Sequence, residues 1–178
     1  MGKTSKILSL SGLLVHLCSF AMVFVLASVA FSWLVLINEG PSSAFNMPVS
    51  FSLERTEIWQ WIVGGVVTLI PAATRIYGLL HLRRLMRLYS EGQYFTAHAI
   101  NHLYRFCFYM FASALANLVL HPVLSVVLTI SNPPGQRALS FQLNSQTFST
   151  LFIAAVFLVI AGIMHEASKI AEENAEII

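Results

Sequence analysis

The sequence predicts an all-α membrane protein: four transmembrane helices bundled in one domain over residues 1–178, with both termini cytoplasmic. Three observations carry that expectation. Hydrophobic residues make up 57% of the chain and charged ones 10%, against about 25% charged in an average soluble domain. Uncharged runs occupy Ile7–Ile37, Ile58–Thr74, Phe106–Gln136 and Ala138–His165, and a bilayer core about 30 Å thick takes about 20 apolar residues to cross as a helix. The basic residues alternate between the joints, which orients the spans.

Lysine and arginine collect on the cytoplasmic side of membrane spans. Lys3 and Lys6 precede the first run, Arg83, Arg84, Arg87 and Arg105 lie between the second and third, and Lys169 follows the fourth. The other two joints hold only Arg55 and Arg137. The termini and the middle joint are therefore expected inside. A net charge of +2 is too small to suggest direct nucleic-acid binding.

The first span is expected at about 7–37. Its basic lead and Ser28-Val29-Ala30 also suit a secretory signal. The apolar run, however, exceeds the usual 7–15 or so residues and continues through Phe31-Ser32-Trp33-Leu34, so an uncleaved span is expected. Ser28 and Ser32 share a face that lets a neighbour approach. The second span, about 58–82, opens with Trp59 and Trp61 where aromatic belts sit. Gly64-Gly65 permits close packing, and Pro71 is expected to kink the helix. The third, about 103–130, carries the small pair Ala112 and Ala116, then His121-Pro122, where a bend or an interruption in its outer half is expected. The fourth, about 148–165, sets Ala154 and Ala161 on one face. The outer joints alternate polar and apolar residues, at Val49-Ser50-Phe51-Ser52-Leu53 and at Leu139-Ser140-Phe141-Gln142-Leu143. A small extracytoplasmic β cap fits that period of two, and a loose loop fits it equally.

The middle joint is the densest signal. Leucines at 82, 85 and 88 lie opposite Arg83, Arg84 and Arg87, so the second span is expected to continue as an amphipathic cytoplasmic helix. Ser90-Glu91-Gly92-Gln93 ends it. Thr96 is placed to cap the next helix, and Phe95 to pack on Ile100 as a hydrophobic staple. The result is a helical hairpin with a basic rim. One reading has that rim neutralising lipid headgroups, at about 1 kcal/mol per residue; the other has it hold a cytoplasmic protein or an acidic ligand. The tail continues the fourth span, and its Glu172 and Glu173 are candidates to clasp the basic joint. Arg75 is the one charge within a span. It is an intramembrane functional candidate and equally a snorkelling side chain.

Gly92-Gln93-Tyr94-Phe95-Thr96 ahead of a hydrophobic helix, with Leu82-Arg83-Arg84-Leu85 upstream and Ala171-Glu172-Glu173-Asn174 near the end, resembles a family of bacterial four-span membrane proteins. That family is known only as a domain of unknown function. The resemblance covers nearly the whole chain and implies the bacterial cytoplasmic (inner) membrane. Family members often have Asn three residues after the Thr, where this chain has Ala99. Many are encoded beside small helix-turn-helix DNA-binding regulators, so the resemblance implies such a regulator as a cytoplasmic partner.

Other chemistry finds little footing. His98 and His102 share a helical face, but nothing fixes a third metal ligand. A haem would need histidines at matching depth; His16 lies about 15 Å along its helix from the inner end and His121 about 27 Å along its own. The chain has no Asp, and every Glu falls at or beyond a span end, unlike a proton-coupled carrier. No cofactor is expected, nor catalysis. The expected function is a non-enzymatic membrane module that binds a cytoplasmic partner through Arg83, Arg84, Arg87, Phe95, Thr96, Glu172 and Glu173. Its alternatives are a small transporter or channel subunit using Arg75, and a sensor of lipid or peptide through the outer joints.

Overall fold

A computed structural model describes residues 2–39, 57–93, 96–133, 139–140 and 145–176. They form four helices: α1 (Gly2–Glu39), α2 (Ile58–Ser90), α3 (Ala97–Thr129) and α4 (Ser145–Glu176). All four are long and apolar enough to cross a membrane. In hydrocarbon every backbone N–H and C=O must be paired within the chain, and a helix does this locally. At 1.5 Å per residue, α2 and α3 run about 50 Å each, well beyond a core about 30 Å thick. Both therefore project past the bilayer and meet in a hairpin, as the middle joint predicts.

The helices pack in chain order, α1 on α2, α2 on α3 and α3 on α4. Large apolar side chains such as Leu17, Phe24, Ile62, Phe152 and Ile163 remain exposed, as suits helices that face lipid. Packing between helices in lipid rests on close approach and polar pairs rather than on expelling water, and small residues mark the seams. A Cβ at Gly64 would lie 3.0 Å from Trp33 Cη2 and 3.3 Å from Leu124 Cδ1. Gly64 thus seats three helices together beside a core of Leu36, Leu124 and Leu128. Gly65, one residue on, faces open space, so close approach belongs to Gly64 alone. Nearer the hairpin, Gly78 meets Tyr109 and Met110 of α3. Ala161 of α4 is buried.

Both span prolines lie inside continuous helices. Pro71 has no N–H to give, but its carbonyl accepts Ser113 Oγ–H from α3 at 3.0 Å and Thr74 Oγ–H at 2.9 Å. His121-Pro122 does not interrupt α3, which runs to Thr129. Ser28 and Ser32 bond back to their own helix, onto the carbonyls of Val25 and Ser28.

The first expected strand, 49–53, lies outside the described residues, as does most of the second. Of the latter, Leu139 and Ser140 are described and take no strand conformation. Ser140 instead gives its N–H to Ser125 Oγ at 3.0 Å, which holds Ser140 against α3.

Candidate functional site

The hairpin is built from short-range chemistry. α2 ends at Ser90, where Glu91 N–H turns back to Arg87 and Leu88 carbonyls and Gly92 adopts a φ of 82°. A side chain at that φ would be strained. α3 then opens on Thr96, whose Oγ1 accepts from Ala99 N–H at 3.3 Å. The expected cap is present; Phe95, the expected staple, lies outside the described residues.

Cross-helix contacts set the register of α2 against α3. Gln60 bonds the Val127 carbonyl, Ser113 bonds the Pro71 carbonyl, and Gly64 and Gly78 sit against Leu124 and Tyr109. Continued toward the turn, this antiparallel register sets Arg84 level with His102 and Arg87 level with His98. Those four side chains, with Leu88, line one cleft of about 260 Å³. Arg84, Arg87 and His98 are exposed, His102 half-buried.

Behind the cleft lies a pair that sequence reasoning missed. His81 Nδ1 and His102 Nδ1 are 2.9 Å apart, so one ring nitrogen donates and the other accepts. His81 is buried and stacks on Tyr109, with centroids 5.7 Å apart and planes within 8°. Tyr109 in turn stacks on Tyr77 at 6.0 Å. His102 is therefore partnered across the hairpin by His81, rather than along its own helix by His98. Among the described residues no group of three or more His, Cys, Asp or Glu is placed to hold a metal ion. The positive charges of Arg84 and Arg105 act on both rings. His81 lies about one helical turn from Arg84 on α2, so the register that sets Arg84 level with His102 brings His81 within reach of the same ring.

The expected basic rim is only partly realised. Arg84 and Arg87 are exposed on it, and Arg105 is exposed on α3. Arg83 is half-buried, with its Nε buried and unpartnered among the described residues. Its charge reaches Cys18 of α1. The amphipathic pattern placed the three arginines together; half-burial sets Arg83 apart from the exposed Arg84 and Arg87. Glu173 is exposed and forms no ion pair with the arginines among the described residues, and the side chain of Glu172 lies outside the described set. Among the described helices α4 packs only on α3, and its His165 stacks on Tyr104 at 5.3 Å, about three turns before the helix ends at Glu176.

Arg75 occupies a different place. It is half-buried and lines a cavity of about 70 Å³ with Ser28, Thr68, Ala72 and Asn117. A second cavity of about 150 Å³ shares Val29, Thr68, Pro71 and Asn117 with it and extends toward Trp33 and His121. Thr68 is fully engaged, accepting Trp33 Nε1–H at 3.0 Å and donating to the Gly65 carbonyl.

No curated protein and no solved structure matches the chain. Four membrane-spanning helices make it a multi-pass membrane protein. With a family model matched over residues 6–178, the chain belongs to the family described as "Protein of unknown function (DUF2975)".

Proposed function

We propose that this protein is a non-enzymatic module of the bacterial cytoplasmic membrane that docks a cytoplasmic partner on its hairpin end. The observation that carries the reading is the basic surface shared by α2 and α3. Arg84, Arg87 and Arg105 are exposed there, and none forms an ion pair among the described residues. Exposed arginines fork onto carboxylates and phosphates in planar, bidentate fashion, so an acidic patch is the complementary surface. The excess of Lys and Arg at this end supports a cytoplasmic hairpin. A small DNA-binding regulator, the partner implied by the sequence resemblance, is the partner class to test.

The test is capture of the full-length chain from native membranes, comparing wild type with Arg84→Ala/Arg87→Ala. Recovery of a soluble DNA-binding protein by wild type, lost in the variant, is the expected result. Identical soluble proteins on both would overturn the reading.

One observation favours a second reading, a small transporter or channel subunit: two neighbouring cavities that share lining residues, one of them lined by Arg75. Anion flux into proteoliposomes, abolished by Arg75→Ala, would favour it over docking. Equal flux in both would remove it.

A further inference from the structure

Four side chains that carry N–H donors line the hairpin cleft from two helices: Arg84 and Arg87 from α2, His98 and His102 from α3. Among the described residues no carboxylate joins them. Glu91, the acid on the turn, is exposed and forms no ion pair among the described residues. Like charges held together without a counter-charge repel, and each disfavours ionisation of the next. A cluster of this kind reaches its lowest free energy with an anion between its members.

The clasp behind the cleft prepares one of these donors. His102 Nδ1 is engaged with His81 Nδ1, so Nε2 is the ring nitrogen left to serve the cleft. When His81 donates and His102 Nδ1 accepts, the His102 proton sits on Nε2 and makes that nitrogen a donor. An anion in the cleft favours that tautomer. His81 is in turn held by its stack on Tyr109.

Depth identifies the anion. At 1.5 Å per residue, Arg84 lies about 38 Å along α2 from Trp59, and Arg87 about 42 Å. With Trp59 at the far interface and a tilt of about 20°, Arg84 passes a core about 30 Å thick and falls in the headgroup layer, with Arg87 at its edge. That layer holds lipid phosphates. We infer that the Arg84–Arg87–His98–His102 cleft binds the phosphate group of an anionic phospholipid from the adjoining leaflet. The inference does not need the docking reading, because it stands on the cleft alone.

Native mass spectrometry of the full-length chain, released from nanodiscs of mixed phosphatidylcholine and phosphatidylglycerol, tests it. Wild type is expected to retain phosphatidylglycerol preferentially. Both His98→Gln and Arg84→Gln/Arg87→Gln are expected to weaken that retention about tenfold, the scale of a lost charge-assisted hydrogen bond. His98 is exposed and outside the clasp, so its variant keeps the hairpin. Equal retention by wild type and variants overturns the inference. So does tight binding of inorganic phosphate to lipid-free protein without preference for phosphatidylglycerol, which moves the site to a soluble phosphate. His98→Gln keeps both arginines, so a variant that loses lipid while still capturing a partner separates this inference from the docking reading.

Discussion

The two ends of the α2–α3 pair handle polar groups in opposite ways. At the end away from the hairpin, polar side chains are buried and paired. Gln60 is fully buried; its Nε2–H donates to the Val127 carbonyl at 2.7 Å, and its Oε1 accepts Glu57 N–H at 2.7 Å. Val127 lies in the last turn of α3, where carbonyls lack helical donors, so Gln60 serves the ends of two helices at once. Ser125 is buried and bonded on both sides, to the Pro122 carbonyl and from Ser140 N–H. At the hairpin end the polar groups are cationic, and Arg84, Arg87 and Arg105 stand exposed. Saturated polar groups hold helices in place, whereas exposed and unpaired ones remain available to something else.

That contrast predicts a gradient of stability effects, readable by detergent-induced unfolding in mixed micelles. Gln60→Leu is expected to cost the most, about 2 kcal/mol, because it leaves the Val127 carbonyl without its donor. A loss below about 0.5 kcal/mol would break the claim that this end is structural. Thr96→Ala removes a helix cap at the hairpin and is expected to cost about 1 kcal/mol, restored by Thr96→Ser. Arg84→Gln/Arg87→Gln should change stability by no more than about 0.5 kcal/mol, and any shift should be upward because like charges are relieved. A loss above about 1 kcal/mol would make the hairpin end structural too and erase the contrast.

Part of the site is legible in the amino-acid sequence. Thr96 announces its cap through a local rule that needs only neighbouring amides. The turn at Glu91–Gly92 follows from the glycine. Arg83 is less legible for a physical reason: helical periodicity assigns faces, but it does not say how deeply each side chain on a face is buried. Arg83 is half-buried where Arg84 and Arg87 are exposed. His81 is easily passed over because its partner is on another helix, and its role exists only once the hairpin register is set.

What the sequence determined by itself is the solvent and the spans. Long runs without charge are stable only in hydrocarbon, and four of them define four helices whatever their packing. The tertiary structure decided how each helix is rotated about its axis, and therefore which polar side chains meet. The reason lies in the medium. Lipid and protein interior are equally apolar, so hydrophobicity cannot choose a face. The contact of Gly64 with Trp33, the bond from Ser113 to Pro71 and the clasp of His81 with His102 make that choice instead.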